Sequence, residues 1–159
     1  MTPAARTARR PTDFDPEASI RRHELSIRVR YVECDPMGVV HHSVYPVWLE
    51  MGRTEMLRST GGSYRLMEEA GAFLVVADLS IKFQVPARYD DDLLLRTHLL
   101  EGGRARVRHG YELYRQPPLD EGTVSEPSLL AVATTTIACV DAGGSLQAIP
   151  ESILDTLRA

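Results

Sequence analysis

The chain predicts an α+β domain in which a curved antiparallel sheet of about five strands wraps around one long helix. Three observations carry that prediction. One stretch, from Ser43 onward, holds its apolar residues at helical spacing, while the segments before and after it hold theirs at a period of two. A length of 159 residues suits one domain with one sizeable core. Finally, a lone long helix cannot cover both faces of an antiparallel sheet, so the compact solution is a sheet curved around it.

Taken in order, residues 1–22 are rich in Pro, Ala, Thr and Arg and lack apolar periodicity, which predicts a disordered or loosely attached tail, with a single domain over 23–159. From Glu24 to Cys34, Leu25, Ile27, Val29 and Tyr31 alternate with polar residues, as in a half-buried strand. Asp35-Pro-Met-Gly breaks that strand as turn chemistry. Ser43 then reads as a helix N-cap, with Pro46 in the first turn, where its missing N–H costs nothing. Tyr45, Trp48, Leu49, Gly52 and Met56 fall on one helical face. Gly52 in that stripe suits close approach to a sheet. The helix fades at Gly61-Gly62, and a shorter helical piece spans 64–69. Beyond Gly71 the period returns to two, predicting strands over 73–85, 92–100, 104–115 and 129–140, then a short helix over 149–157. A polar loop, residues 116–127, separates the last two strands.

Composition narrows the function classes. Hydrophobic content is 43% and net charge is −4, which does not suggest a sequence-independent nucleic-acid binder. No apolar run approaches the length of a membrane-spanning helix or a signal-peptide core. Cys34 and Cys139 lack metal-ligand spacing and read as buried free thiols in a reducing cytoplasm, the expected compartment by default. Adjacent His41 and His42 lack the further ligands a metal site needs.

The stretch from Arg30 to Arg53 carries the chemistry. A carboxylate, Asp35, enters a turn and the start of a helix follows. Exposed amides at a helix N-terminus can hold a developing oxyanion, and a nearby carboxylate can attack a carbonyl or activate water. Glu50, on the helix, is the reserve carboxylate. Cys34 adjoins Asp35, but alternation would send the two side chains to opposite faces. Tyr45 and Trp48 read as core or pocket-wall aromatics. Arg53 reads as a partner for a carboxylate. Arg104 and Arg106 follow the Gly102-Gly103 turn, either as a solvated strand end or as a phosphate contact, which arginine suits.

Asp35-Pro-x-Gly-Val-Val-x-His-x-x-Tyr, followed by Glu50-x-x-Arg53-Thr-Glu-Met, resembles the opening motif of the hotdog-fold acyl-CoA thioesterases of the 4-hydroxybenzoyl-CoA and Tol-Pal-cluster type. Ser80-Ile-Lys-Phe and Pro86-Ala-Arg-x-Asp-Asp-x-Leu extend the resemblance along the chain. The resemblance implies the hotdog layout and hydrolysis of an acyl-CoA to free acid and CoA, without metal or other cofactor. It implies Asp35 as nucleophile or general base, and the backbone amide of His42 in the oxyanion hole; an imidazole at that position could also orient a water or hold Asp35. His41 is expected to point elsewhere. As pocket-wall aromatics Tyr45 and Trp48 are the candidate substrate contacts, and the resemblance further implies CoA contacts from Arg104 and Arg106 and assembly into a homodimer or homotetramer with the site between protomers. The alternatives are a hotdog hydratase or dehydratase acting on enoyl thioesters, and a non-catalytic acyl-thioester binding protein.

Overall fold

The computed structural model describes residues 13–118 and 126–158. Its strands are β1 (Arg21–Arg28), β2 (Phe73–Phe83), β3 (Asp92–Gly102), β4 (Arg106–Arg115) and β5 (Ser128–Val140), and its helices are α1 (Val44–Ser59), α2 (Tyr64–Glu69) and α3 (Glu151–Arg158). The strands form one antiparallel sheet in the order β1-β3-β4-β5-β2. The expected layout therefore stands: one sheet and one long helix against it.

Alternation in β3 shows how the helix is seated. Leu93, Leu95, Thr97 and Leu99 are buried. At Gly52 of α1, an added Cβ would lie 2.4 Å from Thr97 Oγ1 and 2.7 Å from a Leu95 methyl carbon. Only glycine permits that approach, and this outweighs its helix penalty of roughly 1 kcal/mol. Trp48, Leu49 and Tyr45 pack with Leu93, Leu95, Tyr111 and Leu113 as one core cluster. Met56 and Leu57 join Met67, Leu99 and the α3 residues Leu154 and Leu157 in a second.

Two boundaries differ from the sequence reading by more than two residues, the end of the first strand and the start of the packed domain. The strand expected over Glu24–Cys34 ends at Arg28, and Tyr31–Glu33 form a 3₁₀ turn. The cause is local: the Glu33 carboxylate accepts the Arg30 amide at 2.8 Å and so supplies that amide's partner in place of a neighbouring strand. At the N-terminus, residues 1–12 of the expected tail lie outside the described residues. Residues 13–22 are packed rather than loose. The Ile20 amide donates to Leu99 O at 2.8 Å, and Arg21 and Arg22 already belong to β1. The Phe14 ring fills the space left by Gly110 of β4, where a Cβ would meet three ring carbons at 2.7 Å. Lys82 of β2 reaches Asp13 at 2.5 Å. The segment thus crosses the outer face of the sheet from β1 toward β2, and the packed domain begins ahead of residue 23. Part of the loop at 116–127 lies outside the described residues.

β2 is an edge strand. Its outward residues Val75, Val76, Leu79 and Phe83 are 42–52% exposed, an apolar edge that an isolated strand does not leave open.

Candidate active site

The chain between β1 and α1 folds into a small hairpin that carries the candidate residues. Its base is the His41 amide donating to Glu33 O at 2.9 Å; Cys34 bridges Val40, and the Asp35 amide donates to Val39 O at 2.9 Å. At the tip, Gly38 takes a φ of +74°, a conformation glycine adopts without strain. The Gly38 amide donates to Asp35 O, and the Asp35 Oδ1 accepts the Met37 amide at 2.8 Å. This is the local Asx turn that Asp before Pro favours. It fixes the carboxyl group through one oxygen and leaves Oδ2 without a hydrogen bond among the described residues. Asp35 is partly exposed. The hairpin is fastened to the sheet through the Val40 amide on Ala87 O at 2.8 Å, and the Ala87 amide donates to Tyr45 Oη at 3.3 Å.

The hairpin runs straight into α1, and the amides at this corner divide unequally. His41 N–H is held by Glu33 O, Ser43 N–H by His41 Nδ1 at 3.3 Å, and Val44 N–H by His41 O at 3.0 Å. The His42 amide has no acceptor among the described residues. It sits one residue outside the capping position, at the positive end of a 16-residue helix.

Several side chains differ from expectation. Ser43 does not cap an α1 amide with its hydroxyl; its Oγ lies 2.7 Å from His41 Nδ1. The His41 and His42 rings do not diverge but stack at 4.1 Å, both exposed. The His42 imidazole makes no hydrogen bond to Asp35, so any role of His42 beside that carboxylate rests with its amide in this conformation. Cys34 is half-buried with its Sγ against Arg30 O. Tyr45 and Trp48 are buried and line a narrow apolar cavity with Leu49, Ile81, Leu95 and Tyr111.

Glu50 lies elsewhere. With Arg53, Thr54, Tyr64 and Glu68 it lines a separate cleft of about 290 Å³ between α1 and α2. Arg53 pairs with Glu50 at 3.3 Å, the carboxylate partner its sequence position suggested. Burial pushes the Tyr64 hydroxyl up to about 12. Arg104 and Arg106 are exposed at the β3–β4 turn. The Asp35 hairpin meets the opposite end of β3, beside Ala87, and the 11 residues of β3 span roughly 35 Å at about 3.3 Å each. A single protomer does not bring these arginines to Asp35.

Sequence reasoning missed Glu33. It is 6% exposed, and its Oε1 accepts Arg30 Nη2 at 2.8 Å, Arg30 Nε at 3.1 Å and Trp48 Nε1 at 3.3 Å. Burial alone would raise its carboxyl, but the Arg30 and Trp48 hydrogen bonds together with the Arg30 charge hold it below the usual range. The Arg30-x-x-Glu33 spacing, a capping-box pattern, was the available signal. His98 and Glu112 were also missed; both are buried on the outer face, joined at 3.0 Å beneath Phe14.

Comparisons with known proteins bear on the fold and the family. The model of the Thioesterase superfamily matches residues 37–121, more than half the chain, beginning two residues after Asp35. An acyl-CoA thioesterase, YbgC of Haemophilus influenzae, is 34% identical over 118 residues, covering 74% of this chain and 79% of that protein. A hypothetical protein of Thermus thermophilus, TT1821, is 37% identical in its crystal structure, with a TM-score of 0.72 over 84% of this chain and 95% of that one. The 4-hydroxybenzoyl-CoA thioesterase of Pseudomonas sp. strain CBS-3 aligns with a TM-score of 0.73 over 86% of this chain and 99% of that one; at 22% identity it speaks for the shared hotdog fold alone. Matched by its family model over more than half its length and by a relative at 34% identity, the chain belongs to the Thioesterase superfamily.

Proposed function

We propose that this protein hydrolyses an acyl-CoA thioester to a free acid and CoA, with Asp35 as nucleophile or general base and the free amide of His42 as an oxyanion donor. The observation that carries the reading is the His42 N–H at the start of α1, without an acceptor among the described residues, just after a hairpin that fixes a carboxylate with one oxygen open. Attack on the thioester carbonyl moves its π electrons onto oxygen. A preorganised amide at a helix N-terminus stabilises that charge. As nucleophile, Oδ2 forms a mixed anhydride and expels CoA thiolate, and water then cleaves the anhydride. As base, it takes the proton of the attacking water, and collapse of the tetrahedral intermediate again expels the thiolate.

The acyl group would enter beside Tyr45 and Trp48, whose cavity is apolar. Arg104 and Arg106 fit CoA phosphates only if a second copy supplies them, because they lie a strand's length from Asp35 in their own protomer. The apolar β2 edge supports such a homodimer, and a homotetramer built from it. CoA is part of the substrate, and the reading needs no further cofactor. Among the described residues no helix is long and apolar enough to cross a membrane, and we place the reaction in the cytoplasm. A hydratase or dehydratase on enoyl thioesters, or a silent acyl-thioester binder, remains the rival. The test is release of CoA thiol from a panel of aliphatic and aryl acyl-CoAs. Turnover of at least one is expected; binding without thiol release from any would replace hydrolysis with the binder, and consumption of enoyl-CoA without thiol release would favour the hydratase.

A further inference from the structure

We infer that Glu33 is a positioning residue for this site: its buried carboxylate locks the Asp35 hairpin to α1 and so fixes the carboxylate and the His42 amide relative to one another. The inference rests on the hydrolytic reading above for its kinetic consequence, and on the geometry alone for its structural one.

Both the main chain and the side chain of Glu33 take part. Its carbonyl oxygen accepts the His41 amide, which closes the hairpin and leaves His42 as the next residue. Its carboxylate reaches the other way. Oε1 accepts the Trp48 indole N–H from the second turn of α1, while Oε2 accepts the Arg30 amide and the Arg30 guanidinium closes over Oε1. One buried residue therefore grips the hairpin base, the incoming chain and the helix. Trp48 is 2% exposed and packed against Tyr45, so the helix end of this link has little freedom. Asp35 lies two residues beyond Glu33 and His42 one residue beyond its backbone partner. A rotation of the hairpin on α1 would carry both, but by different amounts.

A buried charge is costly unless fully partnered, and removing one partner leaves the others unsatisfied. Cutting the link therefore leaves buried polar groups unpaired and loosens the hairpin on α1. Small displacements of a reacting group cost rate steeply, about 100-fold for roughly 1 Å. Glu33 itself does not line the apolar cavity, so the loss in a Glu33 variant belongs in kcat rather than KM.

Two variants test it. Glu33→Gln removes the charge that holds Arg30, and Trp48→Phe removes the indole donor together with part of the cavity wall. Each should lower kcat about 10- to 100-fold, and in Glu33→Gln, which leaves the cavity wall intact, KM should change less than about twofold. Combined, they should cost no more than the worse single variant, because both cut the same link. Hydrogen exchange at the Asp35, Gly38, Val40 and His41 amides should accelerate in Glu33→Gln, while the β3–β4 amides keep their protection. The chain holds one tryptophan, so its emission should shift in Glu33→Gln and report the same contact without substrate. Folded variants with unchanged kcat and unchanged hairpin exchange would overturn the inference, as would a rise in KM alone. If wild-type protein released no thiol from any acyl-CoA, the hydrolytic reading would fall, and the exchange and emission results would still decide whether Glu33 holds the hairpin.

Discussion

His109 lies on β4, 3% exposed, with its Nδ1 facing no hydrogen-bond partner. Burial, aided by the nearby Arg53 charge, lowers its ring from 6.5 to about 3. Between those values the unfolded chain binds a proton that the folded chain refuses, so stability falls as pH drops from 6.5 toward 3. Glu33 acts in the same direction, since a carboxyl held below its usual range loses its contribution as pH falls through the folded value. Replacing His109 with Leu should flatten the decline in urea midpoint between pH 6.5 and about 4 while leaving the steeper loss below that range. A variant whose midpoint still falls as in wild type would show that His109 is not the acid-sensitive group. At this scale legibility was uneven. Asp35 stood out because a carboxylate beside Pro and Gly at a helix start is chemically specific. Glu33 did not: it falls in phase with Leu25, Ile27, Val29 and Tyr31, but an acidic residue there does not show its partners, and its burial follows from Arg30 and Trp48 meeting it in space.

Element by element, α1 was readable almost to the residue. Its apolar face has a fixed period, and Gly52 in that face already implied a close neighbour. That neighbour is the Thr97 and Leu95 side chains, and the approach leaves no room for a methyl group. Gly52→Ala should therefore destabilise the fold by about 1–3 kcal/mol, the range for overpacking, although alanine is the better helix former. Chemical denaturation measures this, and a stabilised variant would mean that the helix can lift from β3 without loss. The end of β1 was not readable. Periodicity runs on through Val29 and Tyr31, but the Glu33 carboxylate captures the Arg30 amide and stops the ladder. The packing of residues 13–20 escaped for a related reason: Phe14 is a single apolar residue in a polar stretch, and its seat exists only because β4 carries Gly110.

For the whole molecule, two features of one protomer ask for a second. β2 presents Val75, Val76 and Leu79 along an unpaired edge, and antiparallel pairing with a symmetric copy would satisfy its free backbone groups. Such pairing about a two-fold axis can also bring the β3–β4 turn of one copy toward the Asp35 end of the other. Sedimentation at micromolar concentration should give a mass of at least two chains for wild type and one chain for Val76→Lys, since a lysine on an edge opposes pairing. A wild-type monomer with full activity would remove the shared site. The chemistry itself is decided most directly by steady-state CoA release from the best acyl-CoA by wild type, Asp35→Asn and Glu50→Gln. If Asp35 is the carboxylate that attacks or abstracts the proton, Asp35→Asn should lower kcat about 10²- to 10⁴-fold, with KM nearly unchanged and Glu50→Gln close to wild type. Retention of more than roughly a tenth of wild-type turnover by Asp35→Asn, well short of the loss expected for an acid–base group, together with collapse of activity in Glu50→Gln, would contradict the account and move the site to the α1–α2 cleft.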